Sequence, residues 1–347
     1  MPSRDRSRRA PGAYWWARLR DEELLDLRFC DLGLSLERSP LAALVRRLHA
    51  DLDGRGIQFR PHCWLGEEWF TPDGVPGFAV PFYLAHPRLR RLERRMLGEV
   101  EGGNRNWFMR ILRHEAGHAI DNAYRLRRRR SWRETFGPAS LPYPVSYRPR
   151  PNSRRYVEHL GSWYAQSHPT EDFAETFAVW LKPASRWRSH YAEWPALAKL
   201  EFVDALMREV RAEPAPVRTR LHIDSLVHDT RTLREHYKAI LKRYSPPTRR
   251  EEDELFDRVF TREPGRGRLK AATLLRRLRP RLHDLIARRL DVSAYLIHQV
   301  MRTAIRRATE LDLYVAGDRR RAARHCEWLL TRLARGFERS AGRRVPL

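Results

Sequence analysis

Apolar residues recur at helical spacing through most of this 347-residue chain, but not all of it. Residues 21–53 carry one such pattern, with Leu41, Leu44, Val45 and Leu48 on a single stripe. From Gly56 the texture changes. "GIQFRPHCWL" and "GVPGFAVPFYLA" are aromatic and β-branched, with Gly and Pro punctuation, and predict short strands. "PRLRRLERRMLGEVE" predicts a surface helix ending at Gly102-Gly103, and a further helix is expected from about Asn104 to Arg127. A long Pro- and Arg-rich connection follows, "RRRRSWRETFGPASLPYPVSYRPRPNSRRY". Connections of that length are usually functional or disordered. Helical patterns resume at Pro169 in "PTEDFAETFAVWL" and again in "WPALAKLEFVDALMREV".

"RAEPAPVRTR" (211–220) reads as a linker, and a helix follows it. Pro246-Pro247 breaks the chain, and Thr248 with Glu251 makes a capping box opening the next helix. From there to Leu347 the pattern is helical and very basic, as in "YLIHQVMRTAIRRATEL". The expected organisation is one domain over 1–212, a linker with one helix over 213–247, and a basic helical region of unknown role over 248–347. The expected fold class is α+β, a small strand layer with helices plus an appended all-helical C-terminal segment.

Composition adds a charge to explain. The formal net charge is +25 and the pI about 11.0, which favours anionic partners such as nucleic acid. Only five of the 68 basic residues are lysine, however, and such an arginine bias also follows from GC-rich coding. Nucleic acid is therefore a partner that the charge allows and no motif indicates. Cys30, Cys63 and Cys326 are far apart and odd in number, with no C-x-x-C spacing, so neither a disulfide framework nor a thiolate zinc site is indicated. No apolar h-region opens the chain and no apolar run is long enough to span a bilayer, so a cytoplasmic protein is expected.

The candidate chemistry lies in "RHEAGHAIDNAY". In a helix His114 and His118 sit one above the other and can offer imidazole nitrogens to one metal at about 2.0 to 2.1 Å. Glu115 projects beside them, where a carboxylate can take a proton from metal-bound water. Ala116 and Gly117 are small and suit close packing beneath a metal; Phe108, Ile111, Leu112, Ile120 and Ala123 supply an apolar face. The competing reading is an amphipathic helix with two satisfied histidines. A third ligand decides more. One large class of zinc hydrolases continues as His-x-x-Gly-x-x-His, but Asp121 and Tyr124 occupy those two positions here and exclude it. Another class draws a glutamate from a later helix. Glu171 and Glu175 stand four apart among Phe173, Ala174, Phe177, Ala178, Val179 and Trp180. Burying two carboxylates there is costly unless they are paired or bind metal. One would bind zinc and the other would accept a hydrogen bond from a ligand histidine; the pattern leaves open which does which.

Taken together, "LRHEAGHAIDNAY" and "WYAQSHPTEDFAETFAVWL" resemble the bacterial zinc-binding metallopeptidases of the gluzincin type, and more distantly the catalytic domain of anthrax lethal factor. The resemblance runs from about residue 14 to 210, with its specific motifs confined to the two helices, and does not reach the basic segment after 250. It implies a zincin-like catalytic domain with Zn2+ as cofactor, His114, His118 and Glu171 as ligands and Glu115 as general base. It places Glu175 behind a ligand histidine. Tyr164, seven residues before Glu171, would support the oxyanion. Asp121 matches an aspartate after the motif and would serve as a hydrogen-bond partner. The implied function is a zinc-dependent metallopeptidase acting on a protein or peptide. The alternatives are a nucleic-acid-associated protein whose zinc site is secondary or acts on DNA-bound proteins, and a zinc hydrolase of a non-peptide amide. By analogy 77–85 would be an edge strand aligning substrate; a core strand is the competing reading. His168 is expected as a solvated loop histidine, with a cap on the second helix or a place in the cleft as the competing readings, and His62 and Cys63 are expected as packing residues rather than metal ligands.

Overall fold

The computed structural model describes residues 14–340 except 98–99, 145, 148, 151, 162, 212, 244–249, 266–267 and 291–293, together with 345–346. Thr248, half of the expected capping box, lies outside the described residues. The chain divides into two compact units, Met1–Leu92 with Glu101–His236 and Pro346–Leu347, and Glu93–Val100 with Tyr237–Val345.

In the first unit the two expected strands form. β1 (His62–Gly66) and β2 (Gly77–Pro81) pair in parallel, with His62 opposite Gly77 and Gly66 opposite Pro81. Glycine is required at Gly77, because a Cβ there would lie 2.5 Å from His62 atoms. All five residues of β2 are buried, and the Ala79 N–H donates to Phe70 O at 2.8 Å on its way past. The segment 77–85 is thus a core strand that turns into a 3-10 helix at Phe82–Ala85. The helical pattern over 21–53 breaks into α1 (Asp21–Leu25), a 3-10 helix at Phe29–Leu32 that ends at Gly33 with a left-handed φ of 56°, and α2 (Leu41–Asp53). α3 (Pro87–Leu97) follows.

α4 (Arg105–Tyr124) carries the histidine motif. Asn104 caps it by accepting from Trp107 N at 2.9 Å, and Arg125 ends it in the left-handed region. The long arginine-rich connection holds a helix of its own, α5 (Arg130–Phe136), whose Trp132 and Phe136 rings pack on Phe173. α6 (Pro169–Leu181) starts with Pro in its first turn, as fits a proline whose missing N–H has no partner to lose. α7 (Trp187–His190) and α8 (Ala196–Val210) follow, and α8 fastens to α6 through Lys199 and Asp172 at 2.5 Å. The segment 211–220, which reads as a linker, is laid against the end of α4. Val217 N donates to Ala123 O at 3.1 Å, and Tyr124 Oη to Glu213 O at 2.8 Å. Such backbone partners leave no periodic signature in the sequence.

The second unit is helical and basic: α9 (Leu233–Arg243) enters it, then α10 (Arg250–Asp257), α11 (Ala271–Leu290), α12 (Ala294–Glu310) and α13 (Arg319–Ser340). Its core holds Leu275, Ile286, Ile297, Met301, Cys326 and Leu330. Two-residue strands, Phe260–Thr261 and Tyr314–Val315, pair antiparallel at its edge. Thirteen α-helices with small two-stranded sheets among the described residues make a helix-rich mixed architecture compatible with α+β. No described helix is long and apolar enough to cross a membrane.

Candidate metal centre

α4 is nearly all buried, so it is fixed by polar ties as well as by packing. Arg113 donates from Nε and Nη2 to Asp51 Oδ2 of α2, at 2.9 and 2.7 Å, and both side chains are buried. Asn122 Nδ2 donates to Pro72 O and Val75 O, each at 2.9 Å, which pins the β1–β2 connection to the helix. From that connection the Thr71 hydroxyl donates to Glu115 Oε2 at 2.7 Å.

α6 approaches α4 at Gly117. A Cβ on Gly117 would lie 2.9 Å from Ala174 Cα and 3.2 Å from Ala174 O, so only a hydrogen fits between the two backbones. This contact puts the glutamates of α6 over the histidines of α4. His114 Nε2 lies 3.0 Å from Glu171 Oε2, His118 Nε2 lies 3.2 Å from the same oxygen, and the two Nε2 atoms are 3.1 Å apart. Glu175 meets the other side of the same imidazole: His114 Nδ1 is 2.9 Å from Glu175 Oε1, and Glu175 Oε2 accepts from Leu160 N at 2.8 Å. With its Nδ1–H given to Glu175, a neutral His114 turns its Nε2 lone pair towards Glu171 and His118.

The electrostatics call for a cation. Burial opposes charging His114, but Glu171 and Glu175 outweigh it and hold the imidazole well above its ordinary pKa. Burial likewise pushes Glu171 up, and His118 and His114 pull it well below the usual carboxylate range. The cluster therefore favours a positive charge among these side chains, supplied by a proton or by a metal.

The donor set also has the spacing of a zinc site. Donors at about 2.0 to 2.1 Å from a tetrahedral ion stand about 3.3 to 3.4 Å apart. The three separations here, 3.0, 3.1 and 3.2 Å, need only a few tenths of an ångström more. His114, His118 and Glu171 lie close enough to hold a metal ion.

A family model described as "Putative zinc-binding metallo-peptidase" matches residues 90–206. Over that segment the chain is similar to this family. The match covers about a third of the chain and includes both helices that carry the donors. Zinc is the metal of the family, and the metallo-peptidase segment supplies a three-residue set able to hold it. At the level of class it falls among metal-dependent hydrolases. No curated protein and no solved structure matches the chain, and the likeness to the lethal factor domain rests on the two quoted helices alone.

The other expected residues fall in different places. Tyr164 lies beside the cluster, its ring centroid 5.5 Å from that of His114. Burial, then the Glu171 and Glu115 charges, push its phenol pKa up, so it stays a donor. Asp121 is buried and accepts from Arg127 N and Nε at 2.8 and 2.6 Å, bonds that fasten the turn after α4. His168 is not solvated. It is buried, caps α6 by accepting from Thr170 N at 3.2 Å, and Nε2 donates to Leu141 O at 2.9 Å. The capping alternative is therefore the one the structure shows, and that bonding outweighs the surface preference of a loop histidine. His159 is buried too and donates to Arg110 O at 2.9 Å. His62 stacks on Trp64 and His222 and donates to Leu221 O at 3.2 Å, in keeping with a packing role.

Two participants escaped sequence reasoning. Tyr143 Oη donates to Glu171 Oε1 at 2.7 Å and contacts the Thr170 hydroxyl, while its ring stacks on His168 with centroids 4.0 Å apart. It sits in the Pro-rich connection, where no spacing ties it to either motif. Thr71 lies 44 residues before Glu115 and gives no local signal either.

Proposed function

We propose that the chain is a gluzincin-type, zincin-like zinc metallopeptidase that hydrolyses peptide bonds in a protein or peptide. The observation carrying this reading is the convergence of His114 Nε2, His118 Nε2 and Glu171 Oε2 within 3.0 to 3.2 Å of one another, inside the segment matched by the family model. His114, His118 and Glu171 hold the ion. Bound there, zinc supplies a Lewis acid that polarises a carbonyl and lowers the pKa of water.

The protein's own groups do the rest. Glu115, oriented by the Thr71 hydroxyl, takes the proton of the attacking water and delivers it to the leaving nitrogen. Glu175, anchored on Leu160 N, holds His114 in the tautomer that presents Nε2 inwards. Tyr164 donates a hydrogen bond to the oxyanion that develops on the scissile carbonyl. Tyr143 fixes the Oε1 atom of Glu171 and so leaves Oε2 for the ion.

The test is metal content of the purified chain together with cleavage of an unfolded protein, with Glu115→Gln as control. The expected result is about one zinc per chain, and cleavage that Glu115→Gln reduces by 10²-fold or more, about the low end for positioned acid–base catalysis. A chain that takes up no zinc, or a variant as active as wild type, overturns the reading.

A further inference from the structure

α13 buries one side in the core of the second unit, through Ala322, Cys326, Leu330 and Leu333. The proposed peptidase chemistry makes no use of its other side. There Arg321, Arg324, Trp328, Arg332 and Arg335 are all exposed. At about 3.6 residues per turn the five positions fall within an arc of about 80°, and the first and last stand about 21 Å apart along the axis. Arg324 and Arg332 lie one turn to either side of Trp328.

Elsewhere in the unit guanidiniums meet carboxylates. Arg307 donates to Asp253 Oδ1 at 2.7 Å and to Glu310 Oε2 at 3.0 Å, and Arg262 donates to Asp257 Oδ1 at 3.1 Å. The one acid between Arg321 and Arg335 is Glu327, which accepts from Arg289 of α11 at 2.9 Å. Among the described residues no side-chain hydrogen bond or ion pair reaches any of the four guanidiniums of this face, and no ring or cation covers the Trp328 indole. Arg321 with Arg324, and Arg332 with Arg335, are like charges one turn apart, which is unfavourable in an isolated helix. The indole between them is 39% exposed, and it and Leu285 are the large apolar side chains that the described part of the unit leaves open to solvent. A coding bias selects arginine over lysine; it neither clears a face of acids nor sets an indole in its middle.

We propose that this face of α13 binds a single strand of nucleic acid, the arginines meeting phosphates and Trp328 stacking on a base. Guanidiniums match phosphate oxygens in pairs. An open indole offers a flat surface that an unpaired base covers and an acidic peptide does not. A duplex keeps its bases stacked on one another and supplies phosphates alone. A membrane surface calls for an apolar stripe, and the apolar side of α13 is already buried in the core.

The experiment measures binding of a labelled 12-nucleotide oligothymidylate to the full chain by fluorescence anisotropy between 50 and 200 mM salt. Each phosphate contact on a single strand contributes about 0.7 to the salt slope, so Arg324→Gln with Arg332→Gln should lower the slope by about 1.4 and weaken binding about tenfold or more at 100 mM salt. Trp328→Ala should weaken binding about fivefold or more at an unchanged salt slope, because stacking on a base releases no counterion. Trp328→Phe keeps an aromatic face and should lose less than about twofold. Arg277→Gln with Arg281→Gln removes the same charge from exposed positions of α11 and should change affinity less than about twofold. Circular dichroism checks each fold, and Arg324→Gln alone, with about half the slope change, replaces the double variant if that does not fold. A duplex of the same length is the second arm, on which Trp328→Ala should have no effect. Vesicles of phosphatidylserine and phosphatidylcholine are the third. Wild type that binds the vesicles and not the strand has a membrane face instead, and overturns the proposal. So does an arginine pair or a Trp328→Ala variant that binds the strand like wild type, a Trp328→Phe variant as weak as Trp328→Ala, an equal loss in the α11 pair, an equal effect of Trp328→Ala on duplex and strand, or no binding by wild type.

Discussion

Gly117 is the residue on which the geometry of the centre turns, and Gly117→Ala tests that directly. The new Cβ would stand 2.9 Å from Ala174 Cα, 3.2 Å from Ala174 O and 3.3 Å from Ala174 Cβ. Carbon atoms in contact prefer about 3.5 to 4.0 Å, so α6 must retreat from α4 by roughly 0.6 Å or more. Two effects oppose each other. Alanine in a helix interior gains about 1 kcal/mol over glycine. Overpacking a filled contact costs typically about 1 to 3 kcal/mol, because the obstruction is backbone and cannot swing aside. The net expectation is a loss of roughly 0 to 2 kcal/mol. The larger effect falls on the centre. Glu171 is on α6 and the histidines are on α4, and a working site tolerates only about 0.5 Å of displacement. Zinc affinity should therefore fall by about tenfold or more even where stability falls little. Urea unfolding of the metal-free chain and competition with a chromophoric chelator measure the two quantities. A variant that is about 1 kcal/mol more stable and binds zinc like wild type would refute the argument, since propensity would then be the only effect.

Glu175→Ala should lower zinc affinity about 10- to 100-fold by releasing His114 Nδ1, with the chelator competition as readout. Tyr164→Phe should reduce kcat about 10²-fold or more at unchanged zinc affinity, the signature of a donor to the oxyanion. Tyr143→Phe should do the reverse, weakening zinc a few-fold through the freed Glu171 Oε1, at about the net value of one hydrogen bond to a charged group. His159 gives a pH test. Burial holds its pKa down at about 4 against an ordinary 6.5. The unfolded chain then binds more protons below pH 6.5, so stability is complete above 6.5 and declines as pH falls towards 4, by up to about 3 kcal/mol from this group. His159→Gln should show a correspondingly shallower loss between pH 7 and 4 in denaturant unfolding; an identical slope would remove His159 as the cause.

The sequence by itself determined what is local. Apolar periodicity and the Asn104 and Pro169 start signals marked α4 and α6, and Gly and Pro punctuation marked β1 and β2. The i,i+4 spacing of His114 and His118 put both imidazoles on one face, and the acids buried among aromatics on α6 required a partner. All of that follows from the chain's own period and from the cost of burying charge. The break at Gly33 and the helix inside the arginine-rich connection were less legible, since each depends on contacts that local propensity does not set. Only the tertiary structure decided how the pieces meet. The two glutamates of α6 are equivalent as a pattern, yet the approach at Gly117 turns Glu171 Oε2 towards both Nε2 atoms and leaves Glu175 on His114 Nδ1. Thr71, Tyr143, His159 and His168 join the centre or brace it through hydrogen bonds to residues far away or to backbone carbonyls. Such bonds depend on where distant segments are brought together, and no spacing along the chain records that.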